Sequence, residues 1–221
     1  MARARSVLDA KGKDLKAASK ALKAKLVEGP AVVKNAAHLH GLCGGLKSGE
    51  ITIQGDSGDY LGVVNSGALI KVTGNAGKYV ADNMTAGTVI VEGDADFGAA
   101  QYCYGGTAVI KGSAGDFTAT MNKGATIIIG GDVGAEAATY MVGGDVVVVG
   151  NAGENLGNYL IRGSIYLGGE WASLGHNCAV GEVEGGDIEK LEGWLEEFGL
   201  TAGTKAFRKI TPLSDKPFYT H

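Results

Sequence analysis

A glycine returns at a fixed interval of nineteen residues through most of this chain, and this repeat constrains the fold more than any other feature. Its positions are Gly55, Gly74, Gly93, Gly112, Gly131, Gly150 and Gly169. Strict repetition at one period is typical of stacked architectures in which each repeat contacts only its neighbours. Glycine is abundant overall, with 38 among 221 residues. We expect these glycines to supply positive-φ turns and to allow close approach between neighbouring repeats.

The apolar runs between the glycines alternate with the period of a β-strand, whose successive side chains point to opposite faces. Two columns of the aligned runs contain only apolar residues. The second column is Ile51, Ile70, Val89, Ala108, Ile127, Val146 and Ile165, and the fourth is Ile53, Val72, Val91, Ile110, Ile129, Val148 and Leu167. These columns predict the interior of an all-β fold, a parallel β-helix or solenoid of about seven rungs. We place this domain at residues 31–180, with residues 31–48 as a transitional segment.

A helix is predicted before the solenoid. Apolar residues recur there at near-helical spacing, and Gly29-Pro30 ends the run. They are Leu8, Leu15, Ala18, Leu22 and Leu26. The pattern therefore predicts an amphipathic helix over residues 8–28, within an N-terminal segment at residues 1–30.

A second helix is predicted in the C-terminal segment, at residues 181–221. Asp187 can cap this helix, and Gly199 is a stop signal directly after Phe198. One face of the predicted helix is apolar. It carries Ile188, Leu191, Trp194 and Leu195.

The residue after each repeated glycine forms a polar column along the predicted solenoid. The column reads Asp56, Asn75, Asp94, Ser113, Asp132, Asn151 and Glu170. Charged and neutral side chains alternate, which doubles the separation between carboxylates that would otherwise repel each other. Calcium-binding glycine–aspartate repeats have a nonapeptide period and more charge. We therefore expect a hydrogen-bonded polar ladder.

One outward-facing column of the predicted strands is too apolar for solvent. After Thr52 and Lys71 it continues with the residues that we call the apolar stripe: Ile90, Val109, Ile128, Val147 and Tyr166. Monomers usually cover a stripe of this kind, so either the chain's own termini lie over it or another subunit docks there. The C-terminal tail could also lie across a partner, through Phe207, Arg208, Phe218 and Tyr219. The stripe and these tail residues are our candidates for a partner interface.

Charge and hydropathy narrow the classes of partner. The formal net charge is −4, whereas nucleic acids and anionic membranes attract proteins with a concentrated basic face. Six lysines lie within the first 25 residues, in a pattern that an ordinary solvated helix face explains. No apolar run matches a membrane span or a signal peptide. We expect a cytoplasmic protein without a nucleic-acid or membrane partner.

Residues that could carry catalysis are few. The cysteines are Cys43, Cys103 and Cys178. Their spacing excludes CxxC zinc patterns and clustered iron–sulfur ligands. His38 and His40 flank the Cys43 segment, and His176 lies near Cys178, so a Cys/His hydrolase at one solenoid end stays an alternative. Because Gly-x-x-Gly recurs on five of the seven rungs without a following helix, it does not indicate a phosphate site. We expect no catalytic, cofactor-binding or metal-ligating residue here.

The repeated unit resembles the GXGXG domain, the right-handed β-helix at the C-terminal end of the large subunit of glutamate synthase. The resemblance covers about residues 40–180. It rests on phrases such as Gly131-Asp-Val-Gly134 with Tyr140-Met-Val-Gly-Gly144, and Gly150-Asn-Ala-Gly153 with Gly157. The ending, with Ala172-Ser-Leu-Gly175, Cys178, a short helix and Phe207-Arg-Lys, is similar to the free-standing subunit found in methylamine–glutamate N-methyltransferase (N-methylglutamate synthase).

The resemblance implies a scaffold without catalytic residues. In such complexes a class II glutaminase-type chain, the β-helix chain and a flavin- and iron–sulfur-containing synthase chain are separate polypeptides. The resemblance therefore implies a hetero-oligomer, with FMN and the iron–sulfur clusters in a partner subunit and no cofactor in this chain.

Two further alternatives stay open. The same repeat is similar to the non-catalytic helper subunit of formylmethanofuran dehydrogenase, which would make the chain a helper in a one-carbon complex. A solenoid can also stack end to end as a structural protein, although the polar helices predicted at both ends favour capping.

Overall fold

A computed structural model describes residues 5–204 and 207–217. The described elements are β1 (Ser6–Asp9), α1 (Leu15–Glu28), β2 (Ala31–Lys34), β3 (Glu50–Gln54), β4 (Ser66–Val72), β5 (Ala86–Val91), β6 (Thr107–Ile110), β7 (Lys123–Ile129), β8 (Gly143–Val148), β9 (Ser164–Leu167), β10 (Cys178–Glu182), α2 (Gly186–Phe198) and β11 (Arg208–Pro212). The strands belong to one sheet, in which β1 to β9 follow chain order. This arrangement confirms the predicted parallel β-solenoid of about seven turns.

The nineteen-residue repeat is the register of the sheet. Ile51 pairs with Ile70 at one end of the repeat, and Val146 pairs with Ile165 at the other. Both predicted apolar columns are buried, and no member is more than 1% exposed. Complete burial of one such side chain contributes about 1.5–3 kcal/mol relative to exposure. The stacked columns are therefore a main source of the solenoid's stability.

The solenoid begins earlier than the sequence pattern indicated. Strand β2 pairs in parallel with β3, and Ala31 lies opposite Ile51, so residues 31–48 belong to a further turn of the solenoid rather than to a transitional segment. Strand β1 pairs with β2 in turn. The predicted helix over residues 8–28 is too long at its N-terminus, because Leu8 is a buried residue of β1.

Helix α1 starts where a side chain can cap it. The Asp14 carboxylate accepts the N–H of Ala17, which satisfies one of the unpaired donors of the first turn. Ala18 and Leu22 are buried in the solenoid core, while α1 contacts β1 and β2. The helix therefore caps the N-terminal end of the apolar interior.

The chain reverses direction at the other end. Strand β11 inserts between β9 and β10 and is antiparallel to both. Helix α2 lies between β10 and β11 in sequence, and its predicted stop is confirmed, because Gly199 adopts the left-handed conformation. The predicted cap is wrong: Gly185 holds the cap position without a side-chain hydrogen bond, and Asp187 lies in the first turn.

The polar column forms the predicted hydrogen-bonded ladder. Each side-chain oxygen accepts the backbone N–H of the next column member, one turn along the solenoid. The Asn75 N–H donates to Asp56 Oδ1 at 2.8 Å, and the Asp94 N–H donates to Asn75 Oδ1 at 2.9 Å. The series continues to Glu170, whose N–H donates to Asn151. Aspartate, asparagine and serine can all fill this role, which explains why neutral residues are tolerated.

The repeated glycines are needed mainly for space. A methyl group at Gly93 would overlap Asn75 Oδ1 and lie 2.9 Å from the Gly74 carbonyl oxygen of the preceding turn. Among the repeated glycines only Gly55 has a positive φ, so that part of the expectation is wrong. Positive φ occurs instead at glycines near the start of strands, as at Gly87 in β5 with φ of 86° and Gly144 in β8 with φ of 82°.

Candidate functional site

The apolar stripe is covered by the chain's own C-terminal segment. Val109, Ile128, Val147 and Tyr166 are fully buried, and Ile90 is half-buried at the stripe's end. The covering side chains are Val183, Leu191, Leu195, Phe198 and Phe207. Of the two covers that we considered, the internal one is present. The four buried stripe residues and Phe207 therefore do not form the partner surface predicted for them.

A polar contact holds this cover at the start of α2. The Tyr166 hydroxyl donates to Asp187 Oδ1 at 2.7 Å, and Lys209 Nζ lies 2.8 Å from Asp187 Oδ2. Burial acts to raise the pKa of Asp187, but the hydrogen bonds from Lys209 and Tyr166 outweigh it and lower the pKa. Burial and the bond to Asp187 raise the pKa of Tyr166. Asp187 therefore joins α2 to the stripe and to β11.

The other predicted interface residues are dispersed. Arg208 is exposed and lies 3.4 Å from Glu182 across the β10–β11 pair. Phe218 and Tyr219 lie outside the described residues. Within the described chain, only Ile90 and Arg208 among the predicted residues keep exposed surface, and they do not form a continuous patch with the buried ones.

A different face of the solenoid carries exposed side chains that the sequence pattern did not predict. We call it the turn face. It consists of residues 59–66 and their equivalents in later turns, 78–85, 97–104, 116–123, 135–142 and 154–161. Alternate residues at the start of each segment have positive φ, as at Tyr60 (56°), Gly62 (67°) and Val64 (50°). This backbone exposes Tyr60 and Val64 while Leu61 and Gly62 are buried.

Eight aromatic side chains lie on the turn face: Tyr60, Tyr79, Phe97, Tyr102, Tyr104, Phe117, Tyr140 and Tyr159. They include six of the eight tyrosines in the chain. None was among the predicted site residues. A signal was present, since Tyr60 and Tyr79, like Tyr140 and Tyr159, are separated by one repeat. The sequence alone does not reveal this face, because tyrosine rarely adopts positive φ and its local preference does not predict such turns.

The rings form two stacks. Ring centroids of Tyr60 and Tyr79 are 4.8 Å apart, and the stack continues to Phe97 at 5.6 Å and to Phe117 at a further 5.2 Å. These distances suit favourable stacked and edge-on pairs.

The second stack lies farther along the solenoid. Tyr140 and Tyr159 are 5.3 Å apart, and Tyr159 lies 5.0 Å from the His176 ring. The Lys123 ammonium lies 3.8 Å above the neighbouring Tyr104 ring. The rings of the two stacks and the Tyr104 ring are thus held by their neighbours before any partner binds.

A polar seam runs along the turn face beside the rings. It consists of Asp82, Gln101, Thr120, Thr139 and Asn158. Burial raises the pKa of Asp82, although a hydrogen bond from Asn83 acts in the opposite direction. Within the described chain, Asp82 Oδ1 and Thr120 Oγ1 are buried without a hydrogen-bond partner. The seam therefore contains two buried oxygen atoms to which the described residues make no hydrogen bond.

An acidic edge overlaps the start of the turn face, at the four residues that begin with each repeated glycine and the residue that follows them. Its carboxylates are Asp56, Asp59, Asp94, Asp96, Asp116, Asp132, Glu154 and Glu170. The only basic side chain at these positions is Lys78. Several carboxylates also accept backbone N–H groups, as Asp116 does from Ala135 at 2.8 Å. The carboxylates of the edge therefore hold the backbone of neighbouring turns together and also make this side of the solenoid mostly negative.

The cysteines have no activated thiol. Burial raises the pKa of Cys43 and of Cys103 to about 12, and that of Cys178 to about 11. The Cys178 thiol donates to the Gly157 carbonyl at 3.2 Å. A neutral thiol is a poor nucleophile, so this geometry does not support the hydrolase alternative. The described residues contain no group of three or more His, Cys, Asp or Glu that could hold a metal ion, so they do not fit an iron–sulfur cluster.

Comparison with known families extends the sequence evidence to most of the chain. Residues 31–210 match the profile of the GXGXG motif family. The chain belongs to the GXGXG motif family. In this GXGXG chain the match starts at the first residue of β2 and includes α2, so it spans both the solenoid and its C-terminal cover. A comparison with curated proteins found no match. No helix among the described residues is long and apolar enough to cross a membrane.

Proposed function

We propose that this chain is the non-catalytic scaffold subunit of a glutamate-synthase-like glutamine amidotransferase complex of the N-methylglutamate synthase type. In this complex it packs a class II glutaminase-type subunit against an FMN-dependent synthase subunit in the cytoplasm. Membership of the GXGXG motif family is the observation that carries the proposal.

The chemistry of the described residues supports a scaffold. The thiols of Cys43 and Cys103 are buried, that of Cys178 is half-buried, and all three lie in different turns with a raised pKa, so neither a thiolate nucleophile nor a cluster of thiolate ligands is at hand. We therefore assign FMN and the iron–sulfur clusters to the synthase subunit.

The architecture supports the same role. The parallel register is repeated from β3 to β9, and the apolar columns inside it are buried. A solenoid of this kind is a spacer that holds two surfaces at a fixed separation. Such a spacer suits a complex in which an unstable intermediate passes from one active site to another.

Isolation of the tagged chain from its native source tests the proposal. We expect two companion polypeptides, a glutaminase-type chain and a flavoprotein, with flavin absorbance and either glutamine-dependent amination or formation of N-methylglutamate by the intact complex. Recovery of the chain alone would overturn the proposal. So would turnover by the purified chain that disappears in a Cys178→Ala variant.

The same isolation distinguishes the amidotransferase complex from a one-carbon complex. Companions typical of a formylmethanofuran dehydrogenase, without a glutaminase-type chain, would replace the amidotransferase assignment. The neighbouring reading frames give an independent check, because we expect a glutaminase-like and a flavin-synthase-like neighbour.

A further inference from the structure

We propose that the turn face and the acidic edge together form the docking surface of this chain, and that the partner protein meets them with an arginine-rich basic patch. The inference rests on the proposed scaffold role and adds the surface and the chemistry of the partner. It replaces the apolar stripe, which the chain's own C-terminal segment covers.

The aromatic content of the turn face is the first argument. Tyr60, Tyr102, Tyr104 and Tyr140 are between 36% and 56% exposed, although each belongs to an ordered turn of the solenoid. Tyrosine is enriched at protein interfaces, since a rigid ring adds contact area at a low entropic cost. Stacking between neighbouring turns lowers that cost further. The face is therefore organised for binding before a partner arrives.

Backbone conformation gives a second argument. Tyr60, Tyr79 and Tyr102 have φ between 55° and 59°, a region that costs a side chain about 1 kcal/mol or more relative to glycine. Other turns place Gly41 and Gly98 in the column of Tyr60, and Asn83 in the column of Tyr102. The fold thus accepts cheaper residues at these positions. The tyrosines are not required for the turn itself, which is what a binding role predicts.

Charge selects the kind of partner. The acidic edge carries eight carboxylates against one lysine, so it attracts cations and repels phosphate backbones. Two copies of this chain that met edge to edge would repel each other. A basic protein surface supplies the opposite charge.

Arginine fits these features better than lysine. Its planar guanidinium can stack on a tyrosine ring while its N–H groups bond to a carboxylate, and it is more weakly hydrated than an ammonium. The ring faces already accept a cation, as Lys123 over Tyr104 shows. We therefore expect arginine side chains of the partner beside the Tyr60–Phe117 stack and the exposed carboxylates of the acidic edge.

Variants can remove the exposed tyrosines or the charges of the acidic edge while keeping the fold. Tyr60→Gly and Tyr102→Asn introduce residues that other turns use in the same columns. Asp56→Asn, Asp94→Asn and Asp132→Asn remove three charges, yet asparagine keeps the ladder bond, as Asn75 and Asn151 already do. Matched controls lie on the exposed side of α2. They are Glu189→Gln, Glu196→Gln and Glu197→Gln.

Isothermal titration of each folded variant into the purified companion subunits tests the surface, at about 50 and about 300 mM salt. We expect the tyrosine pair to weaken binding about tenfold or more. The aspartate triple should weaken binding mainly at low salt and flatten its salt dependence. The α2 triple should change affinity less than about twofold. Circular dichroism and urea unfolding check that every variant is folded.

A photo-reactive phenylalanine at position 102 identifies the occupant. A crosslink to an arginine-rich segment of a companion supports the inference. A crosslink to a second copy of this chain, or to nucleic acid, overturns it. Unchanged affinity of the tyrosine and aspartate variants, with companions still bound, overturns the docking surface and leaves the scaffold role standing. If the wild-type chain binds no glutaminase-type or flavin companion, the scaffold role itself fails.

Discussion

The outer face of the parallel sheet and the turn face are both rich in hydrophobic side chains, yet only the first is covered. The stripe on the sheet consists mainly of aliphatic residues, and α2 and Phe207 bury it. The turn face carries tyrosines whose hydroxyl groups tolerate water, beside acceptors and carboxylates. Apolar content alone therefore does not identify a docking surface. Our proposal for the turn face rests instead on rigid, exposed aromatic rings beside a mostly negative edge.

The largest loss of stability is expected from a charged substitution on the covered face. Ile128→Lys places an ammonium under α2 at a fully buried position, so we expect a loss of about 4 kcal/mol or more in the free energy of unfolding. Tyr102→Lys on the turn face keeps its charge in solvent and should cost less than about 1 kcal/mol. Urea unfolding followed by circular dichroism compares the two. Equal midpoints would show that α2 does not seal the stripe in solution.

Two glycine substitutions compare the packing of the solenoid with that of its C-terminal cover. Gly93→Ala forces a methyl group against the preceding turn, which should destabilise the chain by about 2 kcal/mol. Gly193 lies within α2, where an added methyl group would have nothing within 4 Å, so Gly193→Ala should stabilise the chain by about 0.5–1 kcal/mol. Thermal unfolding measures both. A neutral Gly93→Ala would mean that neighbouring turns are not packed as closely as the structure shows.

Much of the solenoid could be predicted because its information is periodic. The columns containing Ile51 and Ile53 repeat at one interval, and burial of every member follows from the strand period. The polar ladder could be predicted for the same reason. Elements outside the repeat were harder to predict. Leu8 has helical spacing to Leu15, but pairing with β2 places it in a strand, because the edge of the sheet offers backbone partners that a helix would forgo.

The candidate surface was mispredicted for two physical reasons. A sequence shows that Ile128 points outward from the sheet, but not that α2 returns to cover it, since that contact joins distant segments. It also gives no indication that Tyr60 and Tyr79 adopt positive φ, a conformation that their side chains disfavour. Tertiary contacts along the stack override this local preference.

A smaller effect concerns the polar contact that holds the cover. Asp187→Asn removes a charged acceptor from Tyr166 and Lys209, and should cost about 1.5 kcal/mol near neutral pH. The pKa of Asp187 is lowered from 3.8 in the folded chain, so its contribution is complete above that value and is lost as the pH falls through the lower folded pKa. The difference between wild type and variant should therefore shrink below about pH 4.

Fluorescence of Trp194 in a Trp171→Phe background reports this contact, since Trp194 lies 6.5 Å from the Tyr166 ring. The matched control is Arg208→Gln, which removes the more exposed pair with Glu182 and should cost less than about 0.5 kcal/mol. A difference between wild type and Asp187→Asn that persists undiminished in acid would rule out the ionised carboxylate as its source.

The smallest expected effect is on the turn face, where relief of backbone strain should increase the stability of the chain. Val64 is a β-branched residue at φ of 50° with 47% of its surface exposed, so it combines backbone strain with little burial. Val64→Asn uses the residue that the next turn has at Asn83, and should stabilise the chain by about 1 kcal/mol, or about 3 °C in thermal midpoint. Val63→Asn is the matched control, since Val63 lacks positive φ and is half-buried, and it should destabilise. If both variants lose stability, Val64 is not strained, and side chains with positive φ on this face would need no functional explanation.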